Sequence, residues 1–377
     1  MTLWEKLEIL GAAASYDHSC TGTGLAPDLP FTLEGRRHLP GIYLAHTSLG
    51  RRIPLLKVLL TNRCRLDCAY CVNRASNRVP RTAFEPRELA EVARELFRRG
   101  LVQGIFLSAA IQGCPDDTME RLVETARILR RDLSFRHYLH LKILPGVSPE
   151  LVREAVRLAT RVSVNLEFVK RRSLHRLAPG KEKGGLIRAL AQAREFALEE
   201  GRIPSLTTQV IVGATPETDY DLLRTAQNLY RQGLLKRMYF SAYIPANRDP
   251  RLPPPGAPPP LLRERRLYQA DYLLRLYGFD YRELLEPGKN LPLDRDPKLV
   301  WAERHPEFFP VDLLRASYEE ILRVPGIGPR TARRILEARR RTVLTPEGLR
   351  RAGVQLSRAL PFIALGGRYL PRQLSLF

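Results

Sequence analysis

Cysteine is scarce in this chain: five occur in 377 residues, and three of those lie between positions 64 and 71. So few thiols, so unevenly placed, exclude a disulfide framework and point to a reducing compartment. Long apolar runs are also missing. No stretch of eighteen apolar residues is present to cross a membrane, and the N-terminus, with Trp4-Glu5-Lys6-Leu7-Glu8, lacks the basic-then-apolar order of a secretory signal. The expectation is a soluble, cytoplasmic protein with no membrane partner. Acidic residues are outnumbered, 40 against 61 basic ones, for a net charge of +21, and the bases are overwhelmingly arginine. Arginine matches phosphate geometry and neutralised phosphates release counterions, which favours a polyanionic partner. An arginine-biased genome produces the same numbers, so the partner has to be argued from motifs. What is present in quantity is apolar residue, 44%, in a length sufficient for one large domain and a smaller one.

The stretch Thr61-Asn62-Arg63-Cys64-Arg65-Leu66-Asp67-Cys68-Ala69-Tyr70-Cys71 follows directly on an apolar run. Its Cys-x3-Cys-x2-Cys spacing lets one short loop place three thiolates around one side of a cubane iron-sulfur cluster and leave the fourth iron without a protein ligand. Zinc usually takes four ligands in paired Cys or Cys/His sets, which are not visible here, and three ordinary cysteines are the other alternative. The spacing, with aromatic Tyr70 before the third cysteine, resembles the signature of radical S-adenosylmethionine (radical SAM) enzymes. That resemblance implies a 4Fe-4S cluster on Cys64, Cys68 and Cys71, S-adenosylmethionine on the open iron, and a 5'-deoxyadenosyl radical that abstracts hydrogen from an unreactive carbon. It also implies an electron donor such as flavodoxin or ferredoxin.

Five segments are expected: an N-terminal extension over 1–50, a barrel over 51–246, a proline-rich linker and helical cap over 247–310, a small helical domain over 311–366, and a tail over 367–377. Apolar runs alternate with amphipathic segments from Ile53 to Tyr243, the mark of β/α units around a parallel sheet. Candidate strands are 53–60, 104–108, 138–144, 161–168, 206–213 and 237–243, sufficient for a partial (β/α)6 barrel. Function in such barrels sits on loops at the C-terminal strand ends, and the cysteine loop follows the first strand.

The radical SAM resemblance implies further sites. Ser108-Ala109-Ala110 stands where the family often has Gly-Gly-Glu, so Ser108 and Ala109 are expected to hold the methionine end of the cofactor through backbone and hydroxyl groups. Val210 to Glu217 resembles a Gly-x-Ile-x-Gly-x-x-Glu segment that backs the adenine, with Gly213 and Glu217 matching. In the fourth strand Ser163, Asn165 and Glu167 alternate onto one side; Asn165 and Glu167 are candidates for the ribose hydroxyls or methionine end, with a water-filled polar layer as the alternative. Lys142 and the stretch Leu177-Ala178-Pro179-Gly180-Lys181 are candidates to reach a substrate phosphate. Cys114 and Cys20, the latter in Tyr16-Asp17-His18-Ser19-Cys20, are candidate active-site thiols, with chance loop cysteines the alternative.

Leu322-Arg323-Val324-Pro325-Gly326-Ile327-Gly328-Pro329-Arg330-Thr331-Ala332-Arg333 resembles a helix-hairpin-helix DNA-binding element. Gly326 and Gly328 permit a tight turn and close backbone approach, Pro329 starts a helix, and its free amides can meet a phosphate. Arg330, Thr331 and Arg333 would add contacts that position DNA without reading its sequence. A weaker echo at 345–364 suggests a paired unit. Residues 311–372 hold thirteen arginines, no lysine and five acids. The terminal Gln373-Leu374-Ser375-Leu376-Phe377 resembles the bacterial sliding-clamp-binding motif, with Gln373, Leu374, Leu376 and Phe377 as contacts.

Together these features resemble a bacterial family of DNA modification and repair radical SAM proteins, often encoded beside a uracil-DNA-glycosylase-like partner. The resemblance implies radical chemistry on a base or sugar in DNA. The alternatives are a radical SAM enzyme of tRNA and a non-catalytic iron-sulfur DNA-binding scaffold or sensor.

Overall fold

The computed structural model describes residues 1–15, 41–46, 52–203 and 205–369. The chain divides into two compact units, one of residues 1–217 with 229–260 and one of residues 218–228 with 261–377. The first carries a seven-stranded sheet in sequence order: β1 (Ile42–His46), β2 (Arg52–Leu59), β3 (Gly104–Ser108), β4 (Tyr138–Lys142), β5 (Arg161–Ser163), β6 (Leu206–Val212) and β7 (Arg237–Ala242). From β2 to β7 every pairing is parallel. Following α1 (Leu3–Ala14), the crossovers are α2 (Pro86–Arg98), α3 (Pro115–Arg131), α4 (Pro149–Leu158), the pair α5 (Arg171–Leu177) and α6 (Lys183–Glu199), and α7 (Asp219–Arg231). This is the expected partial (β/α)6 barrel, a curled and mostly parallel sheet.

Local chemistry accounts for its elements. Strands β3 and β6 are buried along their whole length, as strands covered on both faces must be; β3 reads as a near-continuous apolar run, whereas β6 buries Thr207, Thr208 and Gln209 ahead of its apolar half. Helix α2 starts on Pro86 with Glu85 and Glu88 in a capping box, and its stripe of Leu89, Ala90, Val92, Ala93 and Leu96 is buried.

Two features depart from expectation. Residues 42–46, assigned to the polar N-terminal extension, form β1, antiparallel to β2 with Ile42 opposite Leu56. An edge strand of five residues is too short to show a period, and its identity comes from β2 and from α1, where the Tyr43 hydroxyl donates to the Gly11 carbonyl at 3.3 Å. Strand β5 stops at Ser163 instead of running to 168. Beyond it Glu167 has φ 59° and keeps only an isolated bridge to Val210.

The second unit is helical: α8 (Leu261–Leu276), α9 (Tyr281–Leu284), α10 (Pro297–Arg304), α11 (Tyr318–Arg323), α12 (Pro329–Ala338), α13 (Pro346–Ala352) and α14 (Leu356–Ala359). To these helices the structure adds a small sheet, β8 (Val311–Asp312), β9 (Ile363–Leu365) and β10 (Arg368–Tyr369), in the order β10-β9-β8. The core beneath it includes Leu313, Ile321, Val324, Ile327, Ala332, Ile335, Leu349 and Ile363.

Candidate functional site

Strand β2 ends in the cysteine loop, and that loop is held chiefly through its own backbone carbonyls. The Arg81 guanidinium donates to four of them: Asn62 at 2.6 Å, Asn73 at 3.1 Å, Arg74 at 2.6 Å and Asn77 at 3.0 Å. Asn62 donates to Pro80 and accepts from the Thr82 amide, closing the base of the loop. From the far end of the barrel chain, the Asn247 amide donates to the carbonyls of Ala69 (2.8 Å) and Cys71 (3.0 Å) and accepts from Asn77. The Ala69 amide donates to the Leu177 carbonyl at 2.7 Å. Gly180 lies so close that a Cβ there would stand 2.7 Å from a Leu66 methyl. Neither Arg81 nor Asn247 was singled out from sequence. Each acts through partners scattered in the chain, and no local spacing marks them.

The three cysteines border a cavity lined also by Tyr70, Ser108, Ala109, Asn165, Glu167 and Lys181. The loop end of β2, the β3 end and the segment after β5 therefore meet at one place. The Lys181 ammonium donates to Glu167 at 2.7 Å and to the Tyr70 hydroxyl at 3.1 Å. Tyr70 and Cys68 border the same cavity. Burial opposes the charge on Lys181, yet Glu167, with Tyr70 behind it, holds the ammonium well above the usual lysine range. Burial, reinforced by Glu167, pushes the Tyr70 phenol up, so it stays protonated. Burial also raises the Cys68 thiol, against the pull of Lys181, and raises Cys71 to about 11.

These residues fit a cluster. Two buried thiols disfavour a bare thiolate, a state that bound iron would stabilise. Among the described residues no three cysteine, histidine or carboxylate groups converge on one metal-ion position. The polar wall opposite would hold the cofactor: Ser108, Asn165 and Glu167 are nearly inaccessible yet face the cavity.

Other expected residues lie elsewhere. Cys114 is exposed at the N-cap of α3 and does not border the cavity. Cys20 lies outside the described residues, as do Gln373, Leu374, Leu376 and Phe377. Gly213 has φ 88° and a Cβ there would meet Pro260 at 2.7 Å, so it shapes the turn after β6 without lining the cavity. Glu217 accepts from the amides of Val169 and Lys170, ahead of α5. Lys142 borders the cavity.

In the second unit, Val324 to Gly328 join α11 to α12. Val324 and Ile327 are buried in the core, and Gly326 and Gly328 are half-buried. Gly326 has φ 82°, and a Cβ on it would stand 2.8 Å from the Gln355 carbonyl oxygen. Gly328 caps α12 with no side-chain bond to the helix amides, and Arg330 and Arg333 are exposed. The Thr331 hydroxyl donates to the Gly353 carbonyl at 3.3 Å, and the Gln355 amide donates to the Gly326 carbonyl at 3.1 Å. Gly353 has φ 97°, so the two glycine turns, one before α12 and one after α13, are tied together. Beneath them Lys298 donates to the Ile327 carbonyl at 2.6 Å.

A half-open parallel barrel whose first parallel strand empties into a three-thiol loop defines the radical SAM class of fold. Family models agree: residues 58–229 match the Radical SAM superfamily and residues 311–338 the helix-hairpin-helix motif. The chain therefore carries a radical SAM domain, whose family uses a 4Fe-4S cluster and S-adenosylmethionine, together with a helix-hairpin-helix motif. No curated protein matches it. Similar solved structures include HydG, a maturase of the [FeFe]-hydrogenase, at 14% identity and TM-score 0.45, covering 57% of this chain and 48% of that one. HydG from Carboxydothermus hydrogenoformans is similar at 16% identity and TM-score 0.46, covering 57% and 50%. A radical SAM methyltransferase from Sphaerobacter thermophilus is similar at 18% identity and TM-score 0.42, covering 60% and 69%. The chain spans about half the length of the HydG chains.

Proposed function

We propose that this chain is a radical SAM enzyme that modifies or repairs a base or sugar in DNA. The observation that carries the reading is the presence, in one chain, of a thiol-lined cavity and a helix-hairpin-helix motif with exposed arginines at the start of its second helix. When bound, the cluster and S-adenosylmethionine supply one-electron chemistry that ends in hydrogen abstraction from a substrate carbon. The residues of the chain bind and orient: Cys64, Cys68 and Cys71 hold the cluster, Ser108, Ala109, Asn165 and Glu167 hold the cofactor, and the barrel wall limits water. The glycine turn and Arg330 and Arg333 grip the DNA backbone without reading sequence. The target nucleotide has to be flipped out or single-stranded to bring its carbon into the cavity. Gln373 to Phe377 recruit the enzyme to the sliding clamp, and a flavodoxin or ferredoxin supplies the electron.

The deciding experiment is anaerobic reconstitution with iron and sulfide, turnover with S-adenosylmethionine and reductant, and mass spectrometry of nucleosides from duplex and single-stranded DNA, with tRNA in parallel. 5'-Deoxyadenosine together with a changed deoxynucleoside supports the reading; a product confined to tRNA sinks it. Removal of residues 373–377 is expected to abolish clamp binding and leave DNA affinity intact, and unchanged clamp binding counts against recruitment.

A further inference from the structure

Three polar side chains, Glu167 buried and Lys181 and Tyr70 half-buried, form one hydrogen-bonded line in the wall of the cavity that the cysteines border. Glu167 is 4% exposed and reaches the line only because its backbone is left-handed, φ 59°, a conformation that costs a non-glycine residue energy and is retained where the surroundings impose it. Its amide donates to Gln209 and its carbonyl accepts from Ile211, so the neighbouring strand holds that turn in place. Its carboxylate accepts from Lys181 at 2.7 Å, and Lys181 donates onward to the Tyr70 hydroxyl at 3.1 Å. Lys181 is thus interposed between the acid and the phenol, and all three line the cavity that Cys64, Cys68 and Cys71 border. Tyr70 sits between two of the three cysteines in sequence, and its ring is fixed edge-on against Phe168 at 5.5 Å.

We propose that the Glu167–Lys181–Tyr70 line sets the reduction potential of the iron-sulfur cluster, an inference that rests on the assignment of Cys64, Cys68 and Cys71 as cluster ligands. Potentials of such clusters respond to local charge, to hydrogen bonds on the ligand sulfurs and to burial. Adding an electron adds negative charge, so a nearby ammonium favours the reduced cluster. Glu167 opposes it. In a poorly hydrated wall these effects are weakly screened.

The arrangement dictates signs. Lys181→Met removes the cation and is expected to shift the midpoint potential to more negative values. Tyr70→Phe removes the hydroxyl that holds the Lys181 ammonium in place and shifts it the same way by less. Glu167→Gln leaves the ammonium without its counter-charge and shifts it to more positive values. A role confined to packing has no reason to produce opposite signs. Removing one member of a buried pair often destabilises a fold, whereas replacing both by neutral groups is better tolerated, so the double variant Glu167→Gln/Lys181→Met is included and is expected to lie between the single ones.

The measurement is a dye-mediated reductive titration of the reconstituted full-length protein, followed by electron paramagnetic resonance, with iron per chain determined on each sample. Opposite shifts in the two charge variants, at iron content equal to wild type, support the proposal. Shifts of one sign, or potentials unchanged from wild type, overturn it. If the single variants lose iron, the double variant and Tyr70→Phe decide: a negative shift in Tyr70→Phe supports the line and an unchanged potential in both overturns it. Wild-type protein that takes up no iron overturns the ligand assignment itself, which is a separate failure read from the iron assay.

Discussion

Asn247 and Cys71, 176 positions apart, are joined by a 3.0 Å hydrogen bond from the asparagine amide to the cysteine carbonyl. The same amide group donates to Ala69, and its oxygen accepts from Asn77, so one buried side chain holds three positions of the second half of the cysteine loop. The loop's geometry therefore depends on a residue beyond the last strand of the barrel.

Asn247→Ala is expected to lower iron retention after reconstitution without removing a ligand. Leaving buried carbonyls unpaired costs about 1–3 kcal/mol each, concentrated on the loop. Arg81→Ala, which abandons four carbonyls, should be worse. Iron per chain after gel filtration checks both, and full occupancy in the two variants would show that the loop holds its shape unaided.

The cysteines divide by position. Cys71→Ala is expected to abolish cluster formation and 5'-deoxyadenosine production, whereas Cys114→Ala should keep the cluster's absorbance and iron content, because Cys114 is exposed and away from the cavity. Treatment with an iron chelator should reproduce the first phenotype. Loss of the cluster in Cys114→Ala would move that thiol into the site.

Gly326→Ala and Gly328→Ala separate turn geometry from mere presence of glycine. At position 326 a Cβ meets a backbone oxygen at 2.8 Å and φ is 82°, whereas at 328 it meets only the Tyr277 hydroxyl at 3.2 Å with φ −108°. The first variant is expected to lose roughly 1–3 kcal/mol of stability and to bind DNA more weakly across all sequences. The second should melt near wild type. Thermal unfolding and salt-dependent binding to unrelated duplexes test this, and a sequence-selective loss would contradict backbone recognition.

Lys298 supplies a pH dependence. Burial pulls its ammonium down to about 7, with Asp296 opposing and Arg358 and Arg323 adding to the shift. Its folded value lies below its unfolded one, so between about 7 and the ordinary lysine range the unfolded chain binds more protons. Stability is therefore expected to rise with pH through that window and to carry the full burial penalty below it. Denaturant unfolding of the full chain at several pH values checks the slope, and Lys298→Met should flatten it. An unchanged slope in the variant would remove Lys298 as its source.

Much of the barrel was legible because its strands are apolar runs and its helices carry stripes at helical spacing, as with Leu89, Val92 and Leu96. Strand β1 was not, since five residues at a sheet edge take their structure from the neighbour they pair with. The early end of β5 escaped for a similar reason. Alternation of Ser163, Asn165 and Glu167 reads as strand, and nothing local announces that Glu167 turns left-handed.

By itself the sequence determined the kind of chemistry and its address: thiol spacing is a covalent property of seven or eight successive residues, and Gly326-Ile327-Gly328 specifies its own turn. Tertiary structure alone decided what supports and tunes that chemistry. Arg81, Asn247 and the Glu167–Lys181–Tyr70 line act through hydrogen bonds between residues whose proximity exists only after strands have paired, and a buried charge acquires its partner only when the fold has excluded water from both.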